Sequence, residues 1–588
     1  MSNTTWPARS KAASLVHLLG ILAAASAAAG LVDDADTPPD SAGATVSYAF
    51  AGTNGLAGWT VQATGEAEKR MPAPRIEDGK LYLLESWWRS TAAAAAPAPT
   101  DHRVRTIDVA WTLVMNTGTE GMGFAWLDVA RYGTKAEIPP PLAEEAYPGP
   151  GGNPGVVEYD WGWEAPSLLD AFGVGFDASD PANRDPFRGS GNTYDRPQHE
   201  VSLHWNGLEI VKRVSTVEFR DEKPHRVKLH IAFVTGGADV SLAIDDEPQF
   251  TDYFIPSMTA FVGRPVFGSR NTDTAGDVLI DDVAIGWAGE IPPPQPPLNV
   301  VALDHVLNDV DHRSNAAEVH FPDDTDRFGR IICTLRLDKP ESRFDPWDRI
   351  AHLWIESPGG SEKPERFELL RYITPYHRGH VWRVDVSDFR PLLIGTQRLV
   401  QECGTQGEGW VVSVSFDFYP GPPEDDRFAT RVINLWSGSP EIGNPDKPVE
   451  AFYQQRTVTL PPATTAAKVR VVVTGHGMTP NSGNAGEFMP LGRTLTVNDQ
   501  AQHNVLWKTD NYLNPCRPQG GTWKYDRAGW APGDVVHPWL VNVAPRAVQA
   551  GTLTIDYALD PYVNENRGQT WAPTHVTEAQ LIVYGPAR

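Results

Sequence analysis

What most limits the fold open to this chain is an alternation of apolar and polar residues with a period of two. It recurs in short runs that glycine, asparagine, aspartate and proline interrupt. Arg103–Trp111, Val201–Trp205 and Val227–Phe233 show it upstream, and Trp410–Phe418, Val469–Val473 and Leu581–Tyr584 downstream. Successive side chains of an extended strand point to opposite faces, so each run buries one face and wets the other. After residue 30 no stretch has the spacing of a long amphipathic helix, and 52 glycines and 51 prolines supply turns. The chain therefore reads as all-β. At 588 residues it is too long for one core. Ile291–Pro297, written Ile-Pro-Pro-Pro-Gln-Pro-Pro, is a polyproline-type spacer, and Pro420–Asp426 is a second break. These divide the chain into three β-sandwiches, at residues 45–289, 299–422 and 427–588, with residues 290–298 as linker. The last two are each the size of one jelly roll.

Arg9 and Lys11 precede an apolar run from Ala12 to Ala29 that ends in small residues, the pattern of a cleaved secretory signal over residues 1–29. A secreted or periplasmic protein with no stable membrane anchor is expected. Losing that segment removes two positive charges and moves the formal charge from −24 to −26. A chain so acidic repels phosphate backbones, which excludes nucleic acid as a partner. Three cysteines (Cys333, Cys403, Cys516) are too few for a disulfide framework. One bridge is allowed, and Cys333–Cys403 is the better pair because both fall in the same sandwich. No Cys/His spacing suits zinc, and no cofactor is expected. The chain is expected to act as a monomer.

Carboxylates, aromatic rings and arginines gather in three places: Phe344-Asp345-Pro346-Trp347-Asp348-Arg349, Gly486-Glu487-Phe488, and Tyr525-Asp526-Arg527-Ala528-Gly529-Trp530. Such groups on a strand-and-turn scaffold, in a chain with 20 tryptophans, suit a hydrolytic site that handles sugar. Asp348 and Arg349 are neighbours, so both reach one site only if they lie on a turn, which Pro346 favours. After the leader no Asn carries the acceptor pattern for N-glycosylation; only Asn3-Thr4-Thr5 fits it.

In order and spacing, these blocks resemble the bacterial peptide-N-glycanase F family, amidases that release whole N-glycans. Arg371–Tyr376, Val384–Phe389, Thr474–Gly477 and Thr522–Gly533 extend the resemblance over residues 298–588. It implies two jelly rolls and hydrolysis of the amide joining Asn to N-acetylglucosamine, giving a glycosylamine and converting Asn to Asp. The substrate would be an N-glycoprotein or N-glycopeptide. Asp348 and Glu487 match the family's catalytic carboxylates, the first to activate water, the second to bind the sugar and assist the leaving amine. Arg349, as a fork on Asp348 or on the developing charge, joins Arg527, Trp530 and Trp347 as the substrate-binding set, with Trp530 as a wall or stacking surface. The family's third acid falls near Glu402 or Glu408. His476 is expected near the site as a satisfied structural histidine.

Residues 45–289 resemble the concanavalin-like lectin sandwiches through Gly121–Trp126, Phe172–Asp177, Val201–Gly207 and Asp277–Val283. That implies a glycan-binding or spacing module. No metal is expected; the candidates to ligate one would be Asp177, Asn183, Asp185 and His199, with Gly175 standing where those lectins carry a metal-binding Glu. Three rival readings remain open to test. A non-catalytic glycan-binding or adhesion protein on an inactive scaffold is opposed by the presence of both Asp348 and Glu487. A copper monooxygenase needs clustered imidazoles, and no His-x-His occurs. A glycoside hydrolase would also use two carboxylates.

Overall fold

The computed structural model describes residues 43–586 apart from 49, 51–55, 57, 66–73, 86–89, 135–161, 179–198, 272–275, 358–363, 424–426, 478–485, 517–518, 520 and 565–571. The expected signal peptide, Asn183 and Asp185 lie outside the described residues. Among the described residues every named strand pair is antiparallel, and the strands form six sheets packed as three sandwiches. The first faces an eight-stranded sheet, built around Val104–Met115, against a seven-stranded one built around Gly121–Asp128. The second and third each stack two four-stranded sheets. Among the described residues the α-helices are Val129–Tyr132 and Pro545–Ala550. No helix there is long and apolar enough to cross a membrane.

The alternation in the sequence becomes the two faces of these sheets. From Ile107 to Met115 every second residue is buried, and cross-strand register sets Val109 against Leu229 and Ile107 against Ile231. On the outer face the same register pairs Asp108 with His230, whose Nδ1 lies 2.7 Å from Oδ1. Trp111 sits at the centre of the first core, 5.5 Å from Phe124 and 5.6 Å from Phe267, ring to ring. Such aromatic contacts add to the burial of large apolar surface. The second and third sandwiches have their own cores, around Trp410 and Tyr372 and around Leu495 and Leu581.

The cysteines correct one expectation. Cys333, Cys403 and Cys516 are all free and buried. Cys333 lies on Phe328–Asp338 and Cys403 on Thr396–Cys403, strands of the two opposing sheets of the second sandwich. Each faces into a packed core, where a small apolar thiol is at home, and burial pushes both pKa values well up.

The second and third sandwiches are joined by backbone hydrogen bonds. Glu365–Ile373 is an edge strand, and an uncovered edge is an open row of donors and acceptors. Residues 533–536 of the third sandwich cover it: Ile373 N donates to Asp534 O at 2.9 Å, Gly533 N to Ile373 O at 2.9 Å and Val536 N to Arg371 O at 2.8 Å. Trp382 Nε1 adds a bond to Gly533 O at 3.1 Å. The first sandwich meets the second through Arg330, whose guanidinium lies 3.8 Å from the Phe254 ring centre while pairing with Asp385 at 3.0 Å.

Candidate active site

Asp348 lies on an irregular loop between Phe328–Asp338 and Ile350–Ser357, which resolves the two-face problem posed by its neighbour Arg349. Asp345, wholly buried, anchors that loop: its Oδ1 accepts Trp347 N at 2.9 Å and its Oδ2 accepts the Thr405 hydroxyl. Thr374 ties down the other side. Its Oγ1 donates to Trp347 O at 2.9 Å and accepts Arg349 N at 2.7 Å. The Asp348 carboxylate is thereby turned toward the third sandwich, and Tyr376 OH, from its own sandwich, donates to its Oδ2 at 2.6 Å.

Glu487 comes from the opposite module, on the turn that begins at Gly486. That turn presses directly on the strand Ala466–His476: a Cβ placed on Gly475 would stand 1.8 Å from Gly486 O. Only a residue without a side chain permits that approach. Ala528 N donates to Glu487 O at 2.9 Å, which holds the turn against the Arg527 segment.

Arg527 brings the two halves together. Its Nε lies 3.2 Å from Glu487 Oε1 and its Nη2 3.5 Å from Asp348 Oδ2. The remaining donors go to Thr522 Oγ1 at 2.8 Å, Thr522 O at 2.8 Å and Tyr525 O at 3.2 Å. The guanidinium, 1% exposed, lies 4.6 Å from the Trp530 ring centre and 5.2 Å from that of Phe488. A cation held by two aromatic faces and three oxygen partners is a fixed charge. Burial raises the pKa of Asp348 against the lowering influence of the Tyr376 hydrogen bond and the Arg527 charge. Burial likewise raises that of Glu487, opposed by Arg527 and reinforced by the Asp348 charge. Two partly desolvated carboxylates on one cation form a site that can take up and deliver protons.

Beside this cluster opens a cleft of about 980 Å³ whose lining includes Trp347, Arg349, Arg343 and Glu408. Trp347 is 56% exposed and presents a bare indole. The Nε of Arg349 makes no hydrogen bond and lies 4.0 Å from Asp345 Oδ1. Glu408 pairs with Arg343 at 2.9 Å.

The structure thus brings Asp348, Glu487 and Arg527 together and places Trp347, Arg349 and Glu408 on the adjoining cleft. Two expected roles are corrected. Trp530 is 3% exposed, donates Nε1 to Gly475 O at 2.9 Å and stacks on His476, so it offers no face to a sugar and supports Arg527 instead. Arg349 does not fork onto Asp348; Arg527 occupies that side of the carboxylate. Glu402 is on a regular strand and bound to Arg366 at 2.9 Å. His476 is satisfied, its Nε2 2.8 Å from Thr474 Oγ1, and burial lowers its pKa to about 3. Tyr376, Thr522 and Asp345 were missed, though each falls within or next to a block already quoted.

In the first sandwich His199 Nε2 lies 2.9 Å from Glu218 Oε1, and Asp177 is buried at the end of Ala171–Asp177. Among the described residues no group of three or more His, Cys, Asp or Glu side chains is placed to share a metal ion. Gly175 has a packing reason: a Cβ there would stand 2.2 Å from Glu164 O, which leaves no room for the carboxylate that lectins carry.

Residues 446–578 match the family model described as peptide-N-glycosidase F, C terminal. The matched residues fall in the third sandwich, which carries Glu487 and Arg527. One relative is the peptide-N(4)-(N-acetyl-beta-D-glucosaminyl)asparagine amidase F of Elizabethkingia miricola, 27% identical over 325 residues, spanning 52% of this chain and 90% of the relative. A solved structure of recombinant peptide:N-glycanase F (PNGase F) covers 50% of this chain and 97% of its own at 22% identity, with a TM-score of 0.44. Lectin UEA-II complexed with galactose covers 42% of this chain and 98% of its own at 10% identity, with a TM-score of 0.27. Both site carboxylates fall where the second and third sandwiches meet, Asp348 from one and Glu487 from the other.

Proposed function

We propose that this protein is a secreted amidohydrolase that cleaves the Asn–N-acetylglucosamine amide of N-glycoproteins or N-glycopeptides. The observation that carries this reading is the convergence of Asp348 and Glu487, from different sandwiches, on the single buried cation Arg527. An amide carbonyl is a weak electrophile, so its hydrolysis needs a deprotonated water, a partner for the developing oxyanion and a proton for the leaving nitrogen. Asp348 Oδ2 is occupied by Tyr376, which leaves Oδ1 to hold and deprotonate the water. The raised pKa makes this carboxylate a stronger base than an exposed Asp. Arg349, which lines the cleft, is assigned to meet the oxyanion from that side. Glu487, also raised, holds the first sugar and passes a proton to the departing amine. The products are the free glycosylamine and a peptide with Asp in place of Asn.

Trp347 and the cleft beside it receive the substrate, with Glu408 rather than Glu402 as the third acid, since Glu408 lines that cleft. The first sandwich is assigned glycan contact or spacing. The test is release of glycan from a defined N-glycopeptide by the full chain and by Asp348→Asn and Glu487→Gln. The wild type is expected to turn over and Asp348→Asn to be inactive while folding normally. Activity that survives Asp348→Asn removes the assigned base. Glycopeptide retained unchanged by the wild type would establish a glycan-binding protein instead.

A further inference from the structure

We propose that Arg371 is a positioning residue that registers the Glu487–Arg527 half of the site against the Asp348 half, acting through Thr474 and His476. This rests on the amidase reading above. The site is split between two sandwiches, so its geometry depends on what fixes one against the other. Arg371 is wholly buried on the second sandwich, its charge balanced by Glu368, whose carboxylate oxygens accept Nε at 3.0 Å and Nη2 at 2.9 Å. His352 Nδ1 contacts the same carboxylate. The Nη1 of Arg371 crosses to the third sandwich, donating to Thr474 Oγ1 at 3.0 Å and to Val576 O at 2.6 Å.

From Thr474 the contacts run without a gap to the site. Its hydroxyl also meets His476 Nε2 at 2.8 Å. The His476 ring stacks on Trp530 with centroids 5.4 Å apart and planes at 21°. Trp530 underlies the Arg527 guanidinium, and its Nε1 is bound to Gly475 O, the carbonyl between the two residues just named. A buried ion pair by itself is a structural element. This one spends two of its donors on the partner module, at a strand whose next turn supports the cation that both carboxylates share. A fork of fixed geometry is suited to setting register, where a single flexible ammonium is not.

The experiment uses the full chain with Thr474→Val, Thr474→Ser and Arg371→Met. Thermal unfolding, the pH profile of kcat/KM on a defined N-glycopeptide, and amide exchange at 486–489 and 527–530 are measured. Thr474→Val is expected to fold as the wild type does and to lose about 10-fold in kcat, with KM changed less than about twofold. Its acid limb moves, because Arg527 shifts relative to Asp348 and Glu487, and exchange at the two segments quickens. Thr474→Ser, which keeps the hydroxyl, restores both. If Arg371→Met does not fold, the two threonine variants carry the test. A Thr474→Val chain with wild-type kcat, acid limb and exchange overturns the proposal. If the wild type releases no glycan, the amidase reading falls, and exchange still decides: faster in Thr474→Val than in Thr474→Ser supports the pin, equal rates reject it.

Discussion

Replacing Tyr376 with Phe removes a single hydrogen bond from the candidate base and leaves the ring in place. The phenol donates to Asp348 Oδ2 at 2.6 Å, with Tyr376 6% exposed and the Asp348 side chain 16% exposed. A hydrogen bond to a charged partner contributes about 1.5–3 kcal/mol. Each unit of pKa corresponds to about 1.4 kcal/mol of difference between protonation states. The neighbouring Thr522 hydroxyl, 3.3 Å from the phenol, and entering water recover part of the loss. The net expectation is a rise of about one unit in the pKa of Asp348, since the lost donor favours the charged form. The acid limb of kcat/KM belongs to the free enzyme's base and is therefore expected to move alkaline by about one unit. Well above the limb the rate should fall little. A pH series of initial rates on a defined glycopeptide, run beside Glu487→Gln to separate the coupled carboxylate, reads the effect. An unmoved limb, or one moved to lower pH, would refute Asp348 as the base.

The two tryptophans should behave oppositely. Trp347→Ala, at an exposed ring, is expected to leave stability within about 0.5 kcal/mol and to raise KM about tenfold, whereas Trp530→Ala, at a core ring, should cost about 3–5 kcal/mol in denaturant unfolding. Equal stability losses would remove Trp347 from the cleft wall. The thiols of Cys333, Cys403 and Cys516 are expected to react with a thiol reagent only after unfolding, and a reductant to leave the melting temperature unchanged; a count below three would show a bridge. Burial holds the folded-state pKa values of Asp348 and Glu487 above their ordinary values, so the folded chain binds these protons more tightly than the unfolded one. The stability they contribute is complete below the ordinary carboxylate range and is lost as pH rises through the raised folded values. The stability of Asp348→Asn/Glu487→Gln relative to wild type should therefore grow with pH across that window. A gap independent of pH would contradict the raised values.

The fold was legible where physics is local. A run such as Val227–Phe233 states its pairing class because one face must be buried, and the structure buries every second residue of it. The site was legible in its parts and not in its pairing. Asp348 and Arg349 are adjacent, so a fork between them was the natural reading, but local geometry turns Asp348 toward a cation supplied by the other sandwich. Nothing near Arg527 in sequence announces that partner. Trp530 illustrates the ambiguity of aromatics: composition cannot separate a ring that stacks on sugar from one that supports an arginine. Tyr376 was within a quoted block, and a phenol gives no sign of its acceptor. The cysteine pairing failed because membership in one sandwich does not bring two thiols within bonding distance.

The central claim is that a carboxylate-activated water attacks the amide of a glycosylated asparagine. Digestion of a defined N-glycopeptide in heavy-oxygen water, with both products read by mass spectrometry, tests it most directly. An intact glycan, released together with a peptide in which Asn has become Asp carrying one heavy oxygen, is the predicted result. Cleavage between the two core sugars, with Asn unconverted, would contradict it and make the paired carboxylates those of a glycosidase.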